Sequence, residues 1–164
     1  MKAGKISYAG VGVTVGGVLG FLGVLVGWFS YSYPLNGGSA TVNLSGTADW
    51  TGTAALVAGI AAFAFGGAYV LIQDAKLRRT IGILMAISSA FLLVMSLVGF
   101  GRVAEAVGMP TSNFTTATHT GLVISFAGGV IAMVGSLLAS REMLAEGPVA
   151  TTEAPSASAE PVEA

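Results

Sequence analysis

Four stretches of the chain are apolar almost without interruption, at residues 6–29, 51–73, 80–101 and 120–140. Each reaches the length of about 20 residues that a helix needs to cross a bilayer. None contains Asp, Glu, Lys or Arg, and no charge occurs between Lys5 and Asp49. Between the first two stretches the pattern changes to period two. Phe29, Tyr31, Tyr33 and Leu35 alternate with Ser30, Ser32 and Pro34, and Val42 and Leu44 alternate with Thr41, Asn43 and Ser45. Asn36-Gly37-Gly38 supplies the tight-turn signal between them, which predicts a hairpin. The expected fold is an all-α membrane protein: a four-transmembrane-helix bundle over residues 1–141, with a short β-hairpin-like first outer loop. Residues 142–164 are mostly Ala, Pro, Ser, Thr and Glu, the composition of a disordered tail.

The first span is loaded with glycine, seven in the nineteen residues from Gly10 to Trp28. Glycine weakens a helix by about 1 kcal/mol relative to alanine, so its density calls for a compensating contact. At about 100° per residue, Gly12, Gly16, Gly20, Gly23 and Gly27 fall within an arc of roughly 80° and form one groove. Small residues let helix backbones approach closely in lipid, where van der Waals contact drives association. Similar stripes run through Ala55, Gly59, Ala62 and Gly66, and through Gly121, Ser125, Gly128, Ala132, Gly135 and Ser136. A weaker one comprises Gly82, Ala86, Ser89 and Ser96. Such stripes line either the bundle interior or an interface with a partner protein.

Composition agrees with the membrane assignment. Only 9% of residues are charged, against about 25% in soluble domains, and the mean hydropathy is +0.81. A formal net charge of −1 offers no basic field for nucleic acid. The absence of cysteine removes disulfides and thiolate-bound metals. Six of the seven cations, Lys2, Lys5, Lys76, Arg78, Arg79 and Arg141, fall on one side of the predicted spans, with Arg102 on the other. The positive-inside rule then places both termini in the cytoplasm of a multi-pass protein of the plasma (inner) membrane. Lys2 and Lys5 before an apolar run also fit a signal peptide, but the run is long and lacks a small-x-small cleavage site, which favours an uncleaved anchor. Trp28, Phe29, Tyr31, Tyr33 and Trp50 are placed as an interfacial belt at the outer end, with Tyr31, Tyr33 and Trp50 the candidates for outer-loop interaction.

Candidate chemistry is sparse. The spans carry hydroxyls but no ionisable groups: Thr14, Ser88, Ser89, Ser96, Ser125 and Ser136. Ion-coupled carriers place titratable residues near the midplane, whereas helical serines ordinarily bond back to the preceding turn. Asp49, Arg102, Glu105 and His119 are the titratable outer candidates, with Arg102 and Glu105 spaced to pair on one helical turn. One histidine without convergent carboxylates is a poor metal site. Asn43-Leu44-Ser45 and Asn113-Phe114-Thr115 match the glycosylation triplet, a pattern frequent by chance. No catalytic set, cofactor site or metal site is predicted.

The span ending GWFSYSY, the loop ending ADWTG, the basic turn KLRR and the final GGVIAMVGSLLASRE resemble small four-span membrane proteins of actinobacteria, over roughly residues 6–142. That resemblance implies an accessory subunit of a large envelope assembly, such as an Mce-type lipid importer or a respiratory supercomplex. The layout is also similar to that of claudins, although their paired cysteines are missing here. Two functions follow as expectations. The first is a non-catalytic accessory or assembly subunit whose partners are the lipid bilayer and other integral membrane subunits. Its helix-packing or partner-facing positions are Gly12, Gly16, Gly20, Gly23, Gly27, Gly59, Gly66, Gly128 and Gly135. The second is an oligomeric channel or carrier for a neutral or lipidic substrate.

Overall fold

The computed structural model describes residues 7–107 and 116–145. Helix α1 (Tyr8–Val26) is followed by strands β1 (Phe29–Leu35) and β2 (Gly38–Leu44) and a 3-10 turn at Gly46–Ala48. Helices α2 (Trp50–Leu71) and α3 (Ala75–Val107), strand β3 (Thr116–Thr118) and helix α4 (Thr120–Ala145) complete the chain. All four helices are long and apolar enough to cross a membrane, which marks a multi-pass membrane protein. Their order around the bundle is cyclic: α1 packs against α2 and α4, and α3 closes the far side between them.

The two ends of the bundle are chemically distinct. At the sheet end, α1 stops at Gly27, whose φ of +103° would strain any residue with a Cβ. The Trp28 amide then donates to the Leu44 carbonyl oxygen at 3.0 Å, tying the helix end to the second strand. Strands β1 and β2 pair antiparallel with Leu35 opposite Gly38, leaving Asn36-Gly37 as a two-residue turn. Gly37 has φ +94° while Asn36 keeps a negative φ. That combination is of type II form, whereas Asn-Gly in a hairpin most often makes type I′. The predicted hairpin is thus present, and β3 enlarges it to a three-stranded sheet in the order β2-β1-β3. Three residues of Thr-Ala-Thr are too short a run to reveal a strand by pattern.

Helix α3 differs from the predicted span at both ends, starting at Ala75 and continuing to Val107 where residues 80–101 were expected. The basic stretch that reads as a loop is helical because Lys and Arg are good helix formers and Asp74 caps it, accepting the Leu77 amide at 2.7 Å. Helix α4 likewise runs through Arg141 and Glu142 to Ala145. The expected disordered tail lies, from residue 146 onward, outside the described residues.

Candidate functional site

The glycines of α1 are divided between two seams. A Cβ on Gly16 would stand 2.5 Å from the Ala132 amide nitrogen, and one on Gly23 would stand 2.5 Å from that of Ser125. From the other side, a Cβ on Gly128 would stand 2.5 Å from Gly20 N and one on Gly135 would stand 2.9 Å from Ala9 O. Gly12 faces the Gly135 Cα at 3.6 Å, and Gly20 also meets the Leu92 side chain of α3. The predicted groove therefore lies against α4 inside this bundle. Gly27 lies just past the end of α1, with its carbonyl against Gly121 of α4.

A second face was missed in the sequence. Gly10 and Gly17 sit about 100–120° around α1 from the centre of that groove and meet α2. Gly17 touches Gly59 and Phe63, while Gly66 would bring a Cβ within 2.7 Å of the Thr14 amide nitrogen. A helix with two neighbours in a cyclic bundle needs two close faces, and the six glycines within α1 supply both.

The span hydroxyls are also held internally. Thr14 donates to Gly10 O at 2.8 Å, Ser88 and Ser89 to Met85 O at 3.0 and 2.7 Å, and Ser96 to Leu92 O at 2.9 Å. Ser136 has Ala132 O at 2.9 Å and Ser89 Oγ at 3.0 Å in range of its single hydrogen. Ser125 departs from this back-bonding, donating across the seam to Gly20 O at 2.9 Å. All five serines are buried, while the Thr14 hydroxyl lies against Gly66 of α2.

At the sheet end a cavity of about 540 Å³ lies beneath the 3-10 turn, walled by Trp28, Phe29, Leu44, Gly46, Ala48 and Gly99. Ser45, Asp49, Thr51 and Arg102 supply its polar lining. Asp49 caps α2 by accepting the Trp50 amide at 2.8 Å, and it accepts the Thr51 hydroxyl at 2.5 Å. Arg102 Nη1 donates to both carboxylate oxygens, at 2.8 and 3.0 Å. The Thr51 hydroxyl is the main cause that holds the Asp49 carboxyl below its usual pKa; burial opposes it, and the Arg102 guanidinium and the Trp50 amide add to the lowering. Arg102 thus reaches a residue 53 positions away, while the side chain of Glu105, its expected partner, lies outside the described residues.

The aromatic belt is also rearranged. Trp28 and Phe29 are 5% and 4% exposed and belong to the interior of this end. Trp50 is 60% exposed, with the Arg102 guanidinium 5.9 Å from its ring centre. Tyr31 and Tyr33 pair with Val42 and Ala40 in the sheet register, their side chains being outside the described set. His119 stacks on Phe29 with centroids 5.1 Å apart. No group of three or more His, Cys, Asp or Glu that could hold a metal occurs among the described residues.

The opposite end is closed by a polar clasp. Glu142 accepts the Ser7 hydroxyl at 2.9 Å and Arg78 Nη2 at 3.2 Å, and the Arg78 guanidinium lies 4.6 Å from the Tyr69 ring centre. Residues from the start of α1, the end of α2, the start of α3 and the end of α4 meet there. Compared with known proteins, the chain matches no family model and no curated relative.

Proposed function

We propose that this protein is a non-catalytic membrane accessory or assembly subunit, which packs in the bilayer beside a larger envelope complex and presents its three-stranded sheet outside the cell. The observation that carries this reading is the internal use of the span hydroxyls, five buried serines with every hydroxyl hydrogen engaged inside the bundle. A carrier or pore needs polar atoms along a path, whereas here four of the five serines bond back within their own helix and Ser125 bonds across the α1–α4 seam. The outward surface of the spans is large and apolar, with Val57, Ile60 and Phe63 on α2 and Ile87, Phe91 and Val94 on α3 among its residues. That surface suits lipid or the apolar flank of another membrane subunit. The orientation rests on the cations: Arg78, Arg79 and Arg141 at the clasp end face the cytoplasm, and the sheet end faces outward.

Purification from native membranes in a mild detergent tests the proposal. The expected result is recovery in a membrane complex several times its own mass. Recovery as a small monomer under several gentle conditions overturns it, as does saturable flux through liposomes containing this protein alone.

A further inference from the structure

The fold divides the basic first turns of α3. Of Lys76, Arg78 and Arg79, only Arg78 turns inward, to Glu142 and the Tyr69 ring. Lys76 and Arg79 are exposed, and neither forms an ion pair among the described residues. At about 100° per residue the two share one helix face with Thr80, Ile83, Ile87 and Val94, within an arc of about 100°. That face is open along its length: Thr80 is exposed, and Ile83, Ile87 and Val94 are 53%, 61% and 48% exposed. Two cations thus stand at one end of an apolar strip.

Depth and charge define what fits this face. From Ile83 to Val94 the strip runs about 16 Å at a rise of 1.5 Å per residue, roughly half of a hydrocarbon core about 30 Å thick. That is the depth of one leaflet's acyl chains. The two cations lie within two turns of Ile83, where Lys and Arg stems run along apolar surface and carry their charges to the headgroups. A guanidinium grips a phosphate through two parallel hydrogen bonds, and an ammonium beside it acts as a point charge. A zwitterionic headgroup brings its own cation to the same place and gains less. The sheet end offers no such pair among the described residues, because Arg102 is bonded to Asp49.

We propose that this face of α3 binds an anionic phospholipid of the phosphatidylglycerol class. The phosphate sits between Lys76 and Arg79, and one acyl chain lies along Ile83, Ile87 and Val94. The face belongs to the isolated chain, so it does not rest on the accessory-subunit proposal. Arg141 provides a comparison, being exposed at the same end but a single cation on α4.

Native mass spectrometry of the full-length protein, released from detergent with equal amounts of phosphatidylglycerol and phosphatidylcholine of the same chains, reads the preference. Phosphatidylglycerol should be favoured at least about tenfold, and Lys76→Gln and Arg79→Gln should each weaken its apparent affinity about fivefold, the contribution of one basic residue near an anionic surface. The double variant should show no preference. Exchanging the pair, Lys76→Arg with Arg79→Lys, keeps both charges and should keep the preference, which separates charge from misfolding. Equal retention of the two lipids by the unaltered protein overturns the proposal, as does a preference that survives the double substitution to Gln. An equal loss from Arg141→Gln also overturns it, since the whole end then attracts anions without a site on α3. Excess glycerol phosphate should not displace the lipid; displacement makes this a phosphate site without an acyl chain and overturns the lipid class. Residues 146–164 carry four glutamates, and ending the chain after Ala145 should leave retention unchanged. A rise of about tenfold or more makes that tail the occupant of the two cations and overturns the proposal.

Discussion

Ser125 on α4 donates its hydroxyl hydrogen to the main-chain oxygen of Gly20 on α1, 2.9 Å across the seam. A side chain this short reaches a neighbouring helix backbone only where the helices nearly touch, which Gly16, Gly23 and Gly128 permit. Ser125→Ala should cost about 0.6 kcal/mol and no more than about 1.7, the range of hydrogen bonds between membrane helices. Reversible unfolding in mixed micelles measures it. Ser125→Val should cost more, because the added methyl groups meet the α1 backbone.

Glycines on the seams and off them should behave oppositely. Gly16→Ala and Gly17→Ala each place a Cβ against main-chain atoms that cannot swing away, so each should destabilise by about 1–3 kcal/mol, as overpacking does. Gly67 on α2 has nothing within 4 Å of a built Cβ. Gly67→Ala should be neutral or stabilising by up to about 1 kcal/mol through helix propensity. The same unfolding assay on the three variants gives the comparison, and equal losses at all three positions contradict the seam assignment.

Asp49 supplies a pH dependence whose sign follows from its lowered pKa. A carboxyl that binds its proton less readily when folded stabilises the fold above its unfolded pKa and loses that contribution as pH falls through the folded value. Stability at the sheet end should therefore be flat from pH 8 to about 5 and decline below about 4, the ordinary carboxylate range. The decline should stay small, about 0.5 kcal/mol or less, because the pair with Arg102 is partly exposed and screened by water. Asp49→Asn should flatten that limb in a pH series followed by fluorescence.

The clasp at the other end predicts a local effect. Glu142→Ala removes the acceptor shared by Ser7 and Arg78, so amide exchange should accelerate at the first turn of α1 and the last turn of α4. Exchange in β1 and β2 should not change. Hydrogen exchange read by mass spectrometry separates the two regions, and acceleration spread over the whole chain contradicts a local clasp.

Orientation is tested in intact cells. Single cysteines at Ser39, in β2, and at Ser156, beyond the described residues, can be introduced without interference because the chain has none of its own. A membrane-impermeant thiol reagent should label Ser39→Cys and leave Ser156→Cys untouched. Labelling of Ser156→Cys alone inverts the orientation and moves the sheet to the cytoplasmic side.

By itself the sequence determined the four spans, the hairpin and the close-packing role of glycine. Uncharged apolar runs of bilayer length have one stable form in lipid, and the alternation around Asn36-Gly37 fits a pleated pair. The spacing of Gly12, Gly16, Gly20 and Gly23 placed them on one helix face without saying which neighbour covers it. Tertiary structure decided that. It put α4 on this face and α2 on the face of Gly10 and Gly17, because a cyclic bundle gives α1 two neighbours. It also extended α3 through its basic first turns, added β3 to the hairpin and turned Trp28 inward. The Asp49–Arg102 pair and the Ser7–Glu142–Arg78 clasp join residues between 53 and 135 positions apart, and the cavity beside Trp28 draws its walls from residues 28 to 102. No local periodicity encodes such meetings, since they depend on which helix ends the packed seams bring to the same level.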